Sequence, residues 1–120
     1  MANPSKRRGD DAEREVAARL AELTGWPAKR ALGAGRKDDI GDIHGIPQTT
    51  LQVKNRPNDV PRSIREGLAC LQRQQANSGD PFGAVLVRRR GGHWIAVLTL
   101  EGLATLLREA TTPADDREAG

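Results

Sequence analysis

Apolar residues recur along the chain with two periods, and these periods predict eight secondary-structure elements. Val16, Leu20 and Leu23 repeat at helical spacing, whereas the continuous apolar run over 83–87 is typical of a strand covered on both faces. The predicted elements are a helix over 10–23, strands over 28–32, 40–43 and 49–55, a helix over 64–76, strands over 83–87 and 93–98, and a helix after residue 99. The order α-β-β-β-α-β-β-α predicts a single α/β domain, in which helices flank a central mixed sheet.

Capping residues and leucines predict where the last two helices begin and which face of the third helix is apolar. Ser63 is the predicted N-cap of the second helix, and Thr99 is the predicted cap of the third. The third helix carries one apolar face, which consists of Leu100, Leu103, Leu106 and Leu107.

The segment over 49–55 alternates in polarity and follows a short turn. Leu51 and Val53 point to one face of the predicted strand, and Gln52 and Lys54 point to the other. The segments over 40–43 and 49–55 form a predicted β-hairpin, which brings the Asp42 carboxylate close to Gln52 and Lys54. From the alternation alone, a half-exposed strand with a solvated outer face is the simpler interpretation.

Length and composition bound the class of protein. The chain has 120 residues, of which 37% are hydrophobic and 29% are charged, so we expect one domain over 1–110 and a polar tail over 111–120. Apolar runs are too short for a transmembrane helix, and Cys70 is the single cysteine. A reducing, cytoplasmic location is therefore expected, without a membrane partner.

Charge and aromatic content favour an anionic partner that is bound through its backbone. The net charge is +3, and the sequence contains two Trp, one Phe and no Tyr. Few aromatic rings are available for base stacking, so contacts to nucleic acid should fall mainly on phosphates. An arginine-rich composition is equally typical of a GC-rich genome.

The predicted hairpin and the first helix carry the candidate chemistry. Oxygen ligands hold a hard divalent cation, and a neighbouring lysine can orient the attacking water or stabilise developing charge. Asp42 and Gln52 supply such oxygens and Lys54 supplies the ammonium, although an aspartate after Gly41 is also common in plain turns. Glu13 lies at the edge of the apolar stripe of its helix, where it needs a metal, a hydrogen bond or a basic partner. His44 and His93 lack ligand spacing, so zinc is not expected.

Taken in order, these residues resemble the PD-(D/E)XK nuclease signature, and in particular Holliday-junction resolvases of the archaeal type and their phage relatives. The likeness extends over roughly residues 5–110 and rests on short motifs: Lys6-Arg7-Arg8-Gly9, Ala12-Glu13-Arg14-Glu15, Gly33-Ala34-Gly35-Arg36-Lys37, Gly41-Asp42-Ile43 and Gln52-Val53-Lys54-Asn55. The resemblance implies a restriction-endonuclease-like fold, a homodimer and cleavage of branched DNA, with Mg²⁺ as cofactor and Mn²⁺ as its substitute. It implies that Glu13 and Asp42 are metal-site acids and that Lys54 is the catalytic lysine.

Gln52 departs from the resembled signature, which usually has a carboxylate at this position. A glutamine offers a neutral oxygen as third metal ligand, so metal affinity should fall. Gln-x-Lys variants also occur in Mrr-type restriction nucleases. Two alternatives therefore stay open: an endonuclease acting on linear or modified duplex DNA, and a junction- or DNA-binding domain without catalysis. The loop over 33–37 also lacks the serine that resolvases often carry.

Basic residues flank each of the candidate site residues in the sequence. The predicted DNA-binding residues are Lys6, Arg7, Arg8, Arg36, Lys37 and Arg56. Arg88, Arg89 and Arg90 fall on a turn further along, where they form either a separate contact or a merely solubilising group. The expected partners are branched or duplex DNA and a second copy of the chain, with no small-molecule cofactor. A phage origin, with action inside a bacterial host, would suit a small arginine-rich protein of this kind.

Overall fold

The computed structural model describes residues 4–31 and 40–111, and for residues 4–7 the backbone alone. In chain order the elements are α1 (Pro4–Thr24), β1 (Lys29–Arg30), β2 (Ile43–His44), β3 (Thr49–Lys54), α2 (Val60–Ser78), β4 (Phe82–Arg88), β5 (Trp94–Val97) and α3 (Leu100–Thr111). The predicted α/β class and the predicted element order are both confirmed. No helix in the described residues combines the length and the apolar character that crossing a bilayer requires.

The five strands form one mixed sheet in the order β1-β2-β3-β4-β5. Neighbouring strands are antiparallel except for β3 and β4, which are parallel and are connected by α2. The predicted hairpin is present, with Ile43 opposite Leu51. In the parallel pair Lys54 lies opposite Val87. The carboxyl ends of β3 and β4 therefore meet at one edge of the sheet.

Each face of the sheet is covered by a different helix. One apolar cluster joins α1 to the sheet, and its buried members are Ala12, Val16, Ala17, Ile43, Leu51, Val53, Ala84 and Leu86. The opposite cluster joins α2 to the sheet through Leu71, Val85 and Val87. Residues of β4 alternate between the two clusters, so the apolar run over 83–87 is buried on both faces, as predicted.

The polar face of β3 is also buried, which the sequence pattern left open. Thr50 is fully buried and Gln52 is 7% exposed, because α2 covers this side of the strand. The interpretation of a solvated outer face is therefore wrong. Alternation of polarity identified the two faces of β3, but it could not show that a helix covers the polar one.

Two helix starts differ from the predictions. α1 begins at Pro4 and not at residue 10, so that Lys6, Arg7 and Arg8 belong to the helix. Proline is favoured in a first helical turn, where its missing N–H costs no hydrogen bond. α2 begins at Val60, and its N-cap is Asp59, whose carboxylate accepts a hydrogen bond from Arg62 N at 3.2 Å.

Ser63 is consequently not a cap but a residue of the first turn of α2. It is fully buried, and its hydroxyl has no hydrogen-bond partner in the described part of the chain. Asp59 was the better candidate because a proline follows it two residues later, at a position where helices begin.

α3 is arranged with its apolar face outward. Thr99 caps the helix as predicted, since its hydroxyl accepts from Gly102 N at 3.0 Å. The half-buried residues of α3 are Gly102 and Thr105, whereas Leu100 is 78% exposed and Leu107 is 49% exposed. The predicted polar tail begins at the last residue of α3, and residues 112–120 lie outside the described part.

Candidate nucleic-acid interface

A cleft of about 660 Å³ opens where β3 ends and the chain continues toward α2. Its lining consists of Arg8, Gly9, Val53, Lys54, Asn55, Arg56, Pro57, Asn58 and Asp59. Three basic side chains and one acidic side chain are among these residues, and the acid is the N-cap of α2. The cleft is therefore positively charged and suits an anion such as a phosphodiester.

Lys54 is held at the cleft by the close approach of α2. The Cβ position that an added side chain would take at Gly67 lies 3.4 Å from Cγ of Lys54, so the aliphatic stem of the lysine packs beside this glycine. A Cβ there would also overlap Cγ1 of Val85. Because position 67 carries no side chain, α2 can approach β3 and β4 closely enough to fix the stem of Lys54.

Asp42 reaches across the hairpin to the backbone of β3. Its Oδ2 atom accepts a hydrogen bond from Val53 N at 2.8 Å, and its own N–H donates to Leu51 O at 2.7 Å. Gly41, immediately before it, has a φ of 108°, which residues with a side chain rarely adopt. A Cβ at this position would also lie 3.0 Å from Leu51 O. The glycine lets the chain turn so that the aspartate reaches the backbone between Gln52 and Lys54.

Gln52 faces α2 and bonds to a glutamine of that helix. Its Oε1 accepts a hydrogen bond from Nε2 of Gln74, which is 2% exposed. A metal ion at Oε1 of Gln52 would compete with this hydrogen bond. The sequence analysis did not identify this partner. The next residue, Gln75, instead donates to Asp80 O at 3.3 Å.

Glu13 lies on the α1 side of the sheet, away from Gln52. Its Oε2 atom is 3.8 Å from Nε of Arg30, and the same guanidinium bonds to Asp10 at 2.7 Å. Arg30 lies opposite Ile43, which belongs to the cluster beneath α1. The expected alternative for Glu13, a basic partner, is thus present. Asp10 was not identified as part of this group from the sequence.

The predicted DNA-binding residues fall into two sets. Arg8 and Arg56 line the cleft together with Lys54. Lys6 and Arg7 lie in the first turns of α1, where the structure gives the backbone alone. Arg36 and Lys37 lie outside the described residues.

Glu66 is an acid near the cleft that the sequence analysis did not identify. It bonds to both Arg56 and Arg62 at 2.8 Å. The hydrogen bond from Arg62 holds the pKa of Glu66 below its ordinary value, and the charges of Arg62, Arg56 and Lys54 act in the same direction. The hydrogen bond to Glu66 and the charge of Glu66 in turn raise the pKa of Arg62. The spacing of Arg62 and Glu66, four residues apart on a helix, is the sequence signal that could have identified the pair.

The described acids do not converge into a multi-carboxylate centre. No group of three or more His, Cys, Asp or Glu side chains in the described residues is arranged to hold a metal ion. Of the carboxylates predicted to bind metal, Asp42 is the one that bonds to a cleft-lining residue, Val53. Mg²⁺ usually keeps several waters and binds through one or two carboxylates together with substrate phosphates, so this donor set fits an ion that arrives with its substrate.

Comparisons with protein-family models, with curated proteins and with solved structures found no match for this chain.

Proposed function

We propose that this protein is a Mg²⁺-dependent DNA endonuclease that acts on branched DNA. The observation that carries the proposal is the combination of Asp42 and Lys54 beside a basic cleft. The motif resemblance supplies the substrate class, a Holliday junction, because the cleft by itself accepts any phosphodiester backbone.

The cleft suits the backbone of DNA better than its bases. Arg8, Lys54 and Arg56 present positive charge, and none of the described residues that line the cleft is aromatic. Phosphate contacts position a protein on DNA without reading its sequence. This kind of recognition suits an enzyme that selects the shape of a junction.

Lys54 is the residue best placed to assist hydrolysis. Its stem packs beside Gly67, and its charge, like that of Arg56, interacts with the Glu66 carboxylate. From this position it can orient an attacking water or stabilise charge that develops on the phosphate. Asp42 would hold Mg²⁺ together with water and the substrate phosphate. When bound, the ion neutralises the phosphate and lowers the pKa of a bound water.

A second candidate is a DNA-binding domain that does not cleave. The hydrogen bond between Gln52 and Gln74 favours it, because the Gln52 oxygen has a protein partner. The contact between Glu13 and Arg30 favours it for the same reason. An endonuclease that prefers linear or modified duplex DNA is a third candidate, which differs from the proposed junction endonuclease in its substrate alone.

A homodimer belongs to the same proposal, and α3 offers the surface for it. The exposed leucines of this helix are Leu100, Leu103, Leu106 and Leu107. An apolar face of this kind is more stable when it is covered. Glu101 and Arg108 lie seven residues apart, close to opposite ends of α3, so a two-fold antiparallel pairing would bring each Glu101 toward Arg108 of the partner subunit.

The test is a cleavage assay on four-way-junction and linear duplex DNA with Mg²⁺, with Mn²⁺ and with EDTA. We expect metal-dependent, symmetric cutting of the junction by the wild type. Asp42→Asn and Lys54→Ala should each lower the rate by about 10²-fold or more, since each removes a group that acts on the reacting phosphate. Asp11→Asn and Lys29→Ala are the matched controls, because both residues are exposed and lie outside the cleft lining.

Each alternative predicts a different pattern in this assay. Folded wild-type protein that binds the junction but cuts neither DNA with either metal would exclude the endonuclease and favour the binding domain. In that case, Gln52→Glu should create cutting if the missing carboxylate is the cause. Cutting of the linear duplex in preference to the junction would favour the third candidate.

A further inference from the structure

The position of the turn between β4 and β5 follows directly from the parallel register of β3 and β4. Lys54 lies opposite Val87, and β4 ends one residue later at Arg88. Parallel strands leave a sheet at the same edge, so Arg88, Arg89 and Arg90 lie at the edge where β3 enters the cleft. In the sequence these arginines stand 32 or more residues from Arg56, and only the register relates them.

The turn has a defined conformation. Arg89 N donates to His93 O at 2.8 Å, and Gly92 N donates to Arg89 O at 3.1 Å. Gly91 and Gly92 have φ values of 89° and 84°, which glycine adopts without the strain that another residue would incur. The backbone therefore presents Arg89 and Arg90 in the same way in each molecule, and both side chains are exposed.

Arg88 is anchored on an aromatic ring below the turn. Its guanidinium lies 5.8 Å from the centre of the Trp94 ring. Trp94 is itself fixed, because its indole N–H donates to the Glu15 carboxylate at 2.5 Å. The ring is thus covered by an arginine, so the turn offers charge to a ligand and not a platform for base stacking.

The three arginines differ in their partners from five other arginines of the described chain. Arg14, Arg19, Arg30, Arg56 and Arg62 each form an ion pair with a carboxylate. Arg88, Arg89 and Arg90 form no ion pair with any residue that the structure describes. Adjacent like charges repel one another, and a polyanion relieves that repulsion.

We propose that the Arg88–Arg90 turn is a second contact for the DNA backbone, continuous with the cleft at the end of β3. This inference rests on the proposed function, because it assigns the same DNA to both surfaces. Neighbouring strands lie about 4.8 Å apart, and duplex DNA carries one negative charge per about 1.7 Å of its axis. A sheet edge that spans β3, β4 and this turn therefore faces several phosphates of one duplex arm.

The test measures binding of labelled four-way-junction and duplex DNA by fluorescence anisotropy between 50 and 200 mM salt, in EDTA so that no cutting occurs. The variant Arg89→Gln/Arg90→Gln is compared with Arg19→Gln/Arg73→Gln, which removes the same net charge from exposed positions on α1 and α2. Both variants retain Arg88 and its contact with Trp94.

We expect the slope of log K against log salt to be shallower by about 1.8 in the turn variant, which is 0.9 for each lost phosphate contact. Over this salt range the wild type should then lose about tenfold more of its affinity than the turn variant does. The control variant should retain the wild-type slope.

The outcomes separate this inference from the proposed function. If the wild type binds DNA and the turn variant has the wild-type slope, the turn is not a contact, and the proposed function stands. Equal changes in the turn and control variants would mean an effect of net charge, which also overturns the inference. If the wild type binds neither DNA but binds heparin or anionic vesicles, both proposals fail.

Discussion

At the scale of single residues, Gln52 is a candidate metal ligand whose side-chain oxygen already accepts a hydrogen bond from Gln74. Both side chains are buried, so each polar group needs a partner inside the protein. The alternation with Leu51 and Val53 assigned Gln52 to the polar face of β3, and the motif resemblance singled it out as a departure from the signature. Neither could identify Gln74, since the partner of a buried side chain depends on how α2 packs.

We predict that the two glutamines are energetically coupled. Gln52→Met and Gln74→Met should each lower the free energy of unfolding by about 1–3 kcal/mol, because each leaves a buried polar group of the other residue without this hydrogen bond. The double variant should lose less than the sum of the two. Urea unfolding of the four proteins measures the coupling by a double-mutant cycle. Strictly additive losses would contradict the buried hydrogen bond.

At the scale of elements, the packing of α2 against the parallel strands decides where Lys54 lies. Gly67 is buried at this crossing and faces Val85 and Lys54. A glycine in the middle of a helix normally lowers its stability, so its presence here reflects a close approach between helix and sheet. Helical periodicity predicted α2, but it assigned no role to this residue.

We predict opposite effects for the same substitution at two helical glycines. Gly67→Ala should lower the free energy of unfolding by about 1–3 kcal/mol, because the new methyl group overlaps Val85 and must displace the helix or the strand. Gly9→Ala meets no atom within 4 Å and should raise it by about 0.5–1 kcal/mol through helix propensity. Urea unfolding curves measure both values. A stabilising Gly67→Ala substitution would contradict the close packing.

At the scale of the whole molecule, the outward face of α3 is an exposed apolar surface that contains four leucines. The side of the helix that contains Gly102 and Thr105 is half-buried, and the leucines are exposed. Amphipathic spacing identified the leucines as one face. Whether that face turns inward or outward depends on the position of the helix relative to β4, which spacing does not contain.

We predict that the protein sediments as a dimer and that Leu103→Glu/Leu107→Glu converts it to a single chain of 13.0 kDa. The charged side chains would face one another across the two-fold axis and would oppose burial of the leucine face. Leu23→Glu is the control, because Leu23 is 65% exposed but lies on α1. Sedimentation equilibrium measures the masses. A wild-type monomer, or an equal effect of the control, would exclude α3 as the interface.

The sequence alone determined the class of fold, the order of the elements, the hairpin and the two faces of β3. These features follow from local periodicity and turn residues, which are properties of neighbouring positions along the chain. It also determined the candidate residues Asp42, Gln52 and Lys54, because hairpin pairing relates positions only ten residues apart.

Only the tertiary structure decided what surrounds those residues. It covered the polar face of β3 with α2, joined Gln52 to Gln74, and separated Glu13 from Gln52 by the thickness of the sheet. It also brought the Arg88–Arg90 turn to the edge that contains Lys54, through a parallel register between β3 and β4. Contacts of this kind join positions that are distant in the chain, so they depend on how helices and strands pack.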